Sequence, residues 1–297
     1  MNTMISSPVV ANELPSTPHY TRPTFLMCPP KFYDVDYVIN PWMAGNLHRP
    51  SRDVAFAQWN GLYQHLKTMA DIKLLHAREH APDMVFVAHT AVVNHGIAAI
   101  SSFAHAQRQP EEKYLREWFK EAGFLLWDTP RETAFEGEGD ALFDGEGRML
   151  WAAHGVRTCL HSHRHLADAW HTRLTALHLI DPRFYHLDTC FAPLANGFVM
   201  YFPEAFDVES RAKIEAAYPA EKRIIVTEED ATHFACNVIN IGQNVVMHQL
   251  SHSDLPDRLM DQGFEVTQLA LGEFLKGGGA AKSLALRLSD LDVTNGL

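Results

Sequence analysis

The sequence predicts a mixed α/β fold built by repeating one small module. Three observations predict it. Short apolar runs alternate with amphipathic helical stretches along all 297 residues. A phrase of helix, Gly, Phe and strand recurs, over 110–127 and again over 255–269. No long Gly/Ser/Pro stretch or charge block interrupts the chain, so one domain is expected over 21–297, after a loose tail over 1–20. At about 60 residues per module, about five modules would fill the chain; a mixed α/β domain without a repeat fits the pattern alone equally well.

The elements follow in order. Residues 25–28 read as a strand. In 51–70, Ala55, Trp59, Leu62, Tyr63, Leu66 and Met69 fall on one face of a helix. Residues 84–93 are apolar and read as a long strand. The segment 110–121 opens with Pro and acidic residues, a helix start, and turns Leu115, Trp118 and Phe119 inward. It stops at Gly123, before a strand over 124–127. Further strands are expected at 149–153, 197–202, 222–226 and 244–247, and a helix at 204–217. The second copy of the phrase is a helix over 255–262, Gly263, and a strand over 264–269.

Composition excludes several function classes. The 25 Lys and Arg against 36 Asp and Glu leave a formal charge of −11, which argues against nucleic acid and anionic membranes as partners. No stretch approaches the roughly 18 apolar residues of a membrane helix. The 4 cysteines, Cys28, Cys159, Cys190 and Cys236, are far apart and form no Cys-x-x-Cys, so a reducing cytoplasm is expected. Among the 18 histidines, His161, His163, His165 and His171 lie close in sequence. They lack the His-Glu-x-x-His pattern or a nearby Cys pair, and are read as surface or supporting histidines rather than a zinc site.

Four segments carry chemistry. In 39–43, Asn40 is held by Pro41 and Trp42, a turn signature. In 135–140, Glu136, Glu138 and Asp140 alternate with glycines; carboxylates so crowded repel unless a cation, a proton or a metal lies among them. A solvated acidic turn is the alternative. In 185–189, read as a strand, His186 and Asp188 share one face and suit an acid/base and its companion carboxylate. In 276–284, three glycines precede Lys282 and Ser283 and lead into a strand over 284–288. They suit anion binding or close backbone approach, but Lys276 and Ala281 stand where a P-loop needs glycine.

These segments, in this order, resemble the guanidine-modifying superfamily of arginine deiminases, arginine dihydrolases, dimethylarginine dimethylaminohydrolases and amidinotransferases, most of all its bacterial arginine dihydrolase branch. The resemblance runs from Met27-Cys28-Pro29-Pro30 to Ser283-Leu284-Ala285-Leu286. It implies a five-bladed α/β propeller of ββαβ modules about a pseudo-fivefold axis. It implies a hydrolase acting on the planar carbon of a guanidino-like N–C–N group. In that family a Cys attacks the carbon, a His serves as acid and base, and carboxylates hold the guanidinium. By resemblance His186 is the acid/base, and Glu136 and Asp188 are substrate carboxylates, with Asp140 beside them. Asn40 is a polar substrate contact, and Arg108 and Arg157 grip the substrate's carboxylate, a task that suits a bidentate fork. No cofactor or metal is implied. The expected partners are a small-molecule substrate and further copies of the chain.

Two positions depart from the family pattern. Ser283 stands where the nucleophilic Cys is expected, and His89 stands where Asp or Asn is usual. Cys236 fills no nucleophile position and is read as a buried thiol. Three readings of Ser283 stay open: a replaced Cys, a native nucleophile or companion of a water activated by His186, and a binding protein without turnover. His89 removes charge complementarity for a guanidinium, which keeps open displacement of nitrite from a nitroimidazole-like ring. The two arginines favour an amino-acid-like substrate instead.

Overall fold

A computed structural model describes residues 22–289, apart from residues 131, 146 and 148. The expected tail over 1–20 and the end of the chain lie outside the described residues. Five three-stranded sheets are present, and each has the same internal order. In the first, β1 (Thr24–Met27) and β2 (Asp71–Leu74) pair in parallel across the helix Arg52–Met69. The second joins β3 (Ala91–Asn94), β4 (Ile97–Ile100) and β5 (Leu125–Asp128), and the third joins β6 (Ala141–Phe143), β7 (Met149–His154) and β8 (Arg173–His178). The fourth holds β9 (Phe191–Pro193), β10 (Val199–Tyr201) and β11 (Arg223–Ile225), and the fifth β12 (Ile239–Ile241), β13 (Asn244–His248) and β14 (Glu265–Leu269). The last strand, β15 (Leu286–Ser289), returns to pair antiparallel with β1 and completes the first sheet.

Each module is therefore an antiparallel pair followed by a helix and a parallel strand. A parallel neighbour cannot be reached by a tight turn, so the chain must cross over, and the amphipathic helix is that crossover. The helices are Arg52–Met69, Glu111–Glu121, Ser162–Trp170, Val208–Ala217 and Leu255–Asp261. The first buries Ala55, Trp59, Leu62 and Leu66, as the spacing predicts. Gly123 and Gly263 end two of them at φ of 88° and 87°, the left-handed stop that glycine adopts without strain. The recurring phrase is thus the second half of the repeating module.

Some expectations need correction. Residues 84–93 are not one strand. The 3-10 turns Pro82–Val85 and Val87–Thr90 precede the short β3, and both turns are wholly buried. A largely apolar run, here interrupted only by His89 and Thr90, reports burial, and burial alone does not distinguish extended chain from a coiled one. Residues 185–189 are likewise no strand; Leu187–Thr189 is a 3-10 turn. The helix expected from 204 begins at Val208, because the Asp207 side chain accepts from the Ser210 N–H and caps it there. The strand expected from 284 begins at Leu286, after the 3-10 turn Lys282–Leu284.

The core lies between neighbouring sheets and their helices. One part packs Trp151, Phe191, Tyr201 and Phe206, and another packs Phe25, Tyr33, Trp59, Phe86 and Phe274. No helix among the described residues is long and apolar enough to cross a membrane.

Candidate active site

The first strand of every module is preceded by a short segment that carries a buried polar residue. His89 lies on Val87–Thr90 before β3, and Glu136, Glu138 and Asp140 lie on or beside Gly137–Asp140 before β6. His186 and Asp188 flank and join Leu187–Thr189 before β9, Asn237 precedes β12, and Ser283 lies on Lys282–Leu284 before β15. Five equivalent positions of one repeat thus converge on one cluster. Glu136, His186 and Ser283 are each 0% exposed, which excludes the solvated acidic turn.

Each carboxylate of 135–140 has its own cation. Arg157 Nη1 donates to Glu136 Oε2 at 2.9 Å, Lys282 Nζ donates to Glu138 Oε2 at 2.6 Å, and His186 Nδ1 meets Asp140 Oδ2 at 3.0 Å. The crowding that the sequence shows is relieved pair by pair. Asp140 also accepts from Thr158 Oγ1 at 2.6 Å and from the Leu187 N–H at 3.2 Å, so it anchors the His186 turn as well as the imidazole. The glycines between these residues are required by close approach. A Cβ on Gly137 would stand 2.6 Å from the His89 carbonyl carbon, and one on Gly139 would stand 2.9 Å from the His89 ring.

Burial opposes charge on His186, but Asp140 and Glu136 outweigh it and push its pKa up to about 9. Burial likewise opposes charge on Glu136, yet Arg157 and then His186 hold its carboxyl well below the usual range. Burial and the neighbouring His186 push His89 down to about 3, so that ring is neutral. His186 is therefore an imidazolium, its Nε2 lying 3.3 Å from Glu136 Oε2, and can deliver a proton.

This has a consequence for stability. The His186 pKa is raised from 6.5 to about 9, so its contribution is full below pH 6.5 and lost as pH rises through 9. The unfolding free energy should fall by about 3 kcal/mol across that window. Denaturant titrations at a series of pH values measure it; a flat profile from 6.5 through 9 would show that His186 is not held charged.

The Ser283 hydroxyl donates to Asp188 Oδ2 at 3.1 Å and accepts from Asn237 Nδ2 at 3.0 Å. Asn237 Oδ1 also takes the N–H groups of Ala280 and Ser283, at 3.0 and 3.1 Å, and so fixes the Ser283 turn. Asp188 lies between Ser283 and His89, with His89 Nε2 3.4 Å from its Oδ2. Burial opposes charge on Asp188, but His89 keeps its pKa below the ordinary value.

The remaining expected residues take structural partners here. Asn40 Oδ1 accepts from the Trp42 and Met43 N–H groups, and its Nδ2 donates to the Gly277 carbonyl at 3.1 Å. Arg108 holds Glu111 through Nε and Nη2 at 2.9 and 2.8 Å, and reaches His89 Nδ1 with Nη1 at 3.1 Å. Arg157 holds Glu136 and the Ile39 carbonyl. Both guanidinium groups are thus turned onto protein acceptors. The glycine run exposes no amide nest: the N–H groups of Gly277, Gly278 and Gly279 bond to the carbonyls of Phe274, Leu275 and Phe274. It serves close approach instead, with the Gly278 carbonyl accepting from Tyr185 Oη at 2.5 Å.

The histidines of 161–171 do not converge. His163 is buried against the Ala153 carbonyl, and His161 Nδ1 lies 3.5 Å from Cys159 Sγ. Cys28, Cys190 and Cys236 are buried, and burial pushes all three thiols up. Sequence reasoning missed Asn237, Glu111 and Thr158. Asn237 had a signal, its place before the first strand of a module; Glu111 and Thr158 had none, because they act through partners distant in sequence or hidden in a helix start.

The sequence profile described as N,N dimethylarginine dimethylhydrolase, eukaryotic, matches residues 42–287. The chain is 50% identical over 270 residues to the bifunctional arginine dihydrolase/ornithine cyclodeaminase AgrE of Nostoc sp. (strain PCC 7120), covering 91% of this chain and 38% of that protein. It is 35% identical over 289 residues to the N(G),N(G)-dimethylarginine dimethylaminohydrolase of Mycobacterium tuberculosis, covering 96% and 93% of the two chains. A solved structure of the N-terminal domain of ArgZ, an arginine dihydrolase from cyanobacteria, matches with a TM-score of 0.88 and 49% identity over 91% of this chain and 100% of that one. That structure is of a serine-for-cysteine mutant bound to substrate. The chain spans only 38% of AgrE and 37% of the ArgZ of Synechocystis sp. (strain PCC 6803), so it matches one part of those bifunctional proteins. From sheet order to relatives, these findings place the chain in the dimethylarginine dimethylaminohydrolase-like family of guanidine-modifying hydrolases.

Proposed function

We propose that this chain is a hydrolase acting on the planar carbon of a guanidino-like N–C–N group, of the arginine dihydrolase kind. The observation that carries the reading is a set of buried polar atoms without partners. His186 Nε2, His89 Nε2 and Asp188 Oδ1 are buried without hydrogen bonds; the two nitrogens reach carboxylate oxygens only at 3.3 and 3.4 Å, and the two ring centroids stand 4.3 Å apart. Buried polar atoms are costly when unpaired, so such a set points to a ligand that pairs them. A planar group with N–H donors fits Asp188 Oδ1.

In this reading the five sheets stand as blades around a pseudo-fivefold axis, and the cluster lies where their leading turns meet. Asp188 and Glu136 orient the N–C–N group, with Arg157 giving up Glu136 as the substrate enters. Ser283 Oγ bonds to the carbon as its proton passes to Asp188, and His186 protonates the departing nitrogen, with Asp140 holding the imidazolium for that step. Water then adds to the carbon, giving its proton to the now neutral His186, and Ser283 leaves with the proton returned from Asp188. A binding role without turnover is supported by one feature: the Ser283 hydroxyl is held by Asp188 and Asn237, not by an imidazole.

Release of ammonia, urea, citrulline, ornithine or nitrite is the test, from arginine, methylated arginines and nitroimidazoles. The expected result is product from at least one guanidino compound, from the chain as it stands or with Ser283→Cys. No product from either protein on any compound sinks the hydrolase reading. Tight binding without turnover that survives His186→Ala establishes the binding role instead.

A further inference from the structure

His89 is held in one tautomer. Arg108 Nη1 lies 3.1 Å from His89 Nδ1. A guanidinium has only donors and keeps its charge, so Nδ1 must accept and the single ring proton sits on Nε2. Arg108 has little freedom to turn away. It grips Glu111 with Nε and Nη2, donates to the Asp83 carbonyl at 3.1 Å, and lies 4.4 Å from the Phe103 ring centroid. The His89 Nε2–H is buried and makes no hydrogen bond, with Asp188 Oδ2 3.4 Å away and already accepting from the Ser283 hydroxyl, and Asp188 Oδ1 is buried without a partner. The site therefore sets one donor beside one acceptor.

Resting on the functional reading above, we propose that His89 is a specificity-determining residue. It selects a neutral N–C–N group carrying a lone-pair atom next to an N–H, such as a ureido group, over a guanidinium. The carbonyl oxygen of a ureido group accepts from His89 Nε2–H while its N–H donates to Asp188 Oδ1. A guanidinium has N–H on every edge, so it sets a donor against the His89 donor and leaves both unpaired. That mismatch lowers affinity by about 10- to 100-fold. An acidic or amide side chain at this place accepts instead, which suits a guanidinium. Arg108 acts through His89 and is a positioning residue.

Calorimetric binding of L-arginine and L-citrulline to the full chain tests the inference, since the two differ only in the third substituent of the central carbon. The expected result is tighter binding of citrulline by about 10- to 100-fold, with the ratio collapsing toward one in His89→Asn, whose amide can turn its oxygen inward. Arginine binding as tightly as citrulline, or a preference unchanged in His89→Asn, overturns the inference and leaves the functional reading standing. Binding of neither compound to either protein overturns both. A measurement that needs no variant is the nitrogen–proton correlation of the His89 ring in the unmutated protein. Protonated Nε2 and bare Nδ1 are expected at neutral pH; a proton on Nδ1 overturns the tautomer and the proposal with it.

Discussion

Ser283→Cys should raise turnover by about 10²- to 10⁴-fold on whichever guanidino-like compound the chain binds best. A serine hydroxyl attacks an electron-rich planar carbon only if a base removes its proton. The group that takes the Ser283 hydrogen bond is Asp188, at 3.1 Å, and its depressed pKa makes it a weak base. A thiol ionises far more readily and needs no such partner. The His186 imidazolium and the Lys282 ammonium in the same cluster would favour the thiolate. Steady-state kinetics of the two proteins measure the effect, and mass spectrometry of the Cys variant should reveal a covalent adduct during turnover. A variant that folds and binds but gains no rate would move the nucleophile away from 283 and toward a water.

His186→Asn should lower turnover by about 10²- to 10⁴-fold and destabilise the fold by about 3–5 kcal/mol. The two effects share a cause. His186 stands between Asp140 Oδ2 at 3.0 Å and Glu136 Oε2 at 3.3 Å, and its charge offsets both carboxylates. Removing it takes the acid from the leaving nitrogen and leaves Asp140 buried without its cation. Asparagine preserves much of the ring's volume near Asp140, so packing loss contributes less than charge loss. Chemical denaturation at pH 6.5 reads the stability, and the loss should shrink as pH rises through about 9, where the imidazole itself becomes neutral. Unchanged turnover in a folded variant would remove His186 from the proton path.

The repeat and the site were legible in the sequence to different depths. The helix over 51–70 and the Gly123 and Gly263 stops follow from spacing and backbone sterics, which are local properties. The crowded carboxylates of 135–140 announced that cations must join them. They did not announce which, and the structure supplies Arg157 from the same module and His186 and Lys282 from two others. Residues 84–93 misled because a segment buried on all sides has no period to read; at 185–189 the alternation of His186 and Asp188 imitated a strand, although Leu187–Thr189 is a buried 3-10 turn.

Composition and motif carry the residue types of the cluster and the order of the modules, and the family resemblance marks positions 89 and 283. What each of those two side chains does follows from contacts between distant segments. Ser283 is held by Asp188 and Asn237, and Arg108 gives His89 a donor at Nε2. A proton's place on a ring, or a hydroxyl's choice of partner, depends on which groups distant in the chain are brought within about 3 Å, the range at which a hydrogen bond acts.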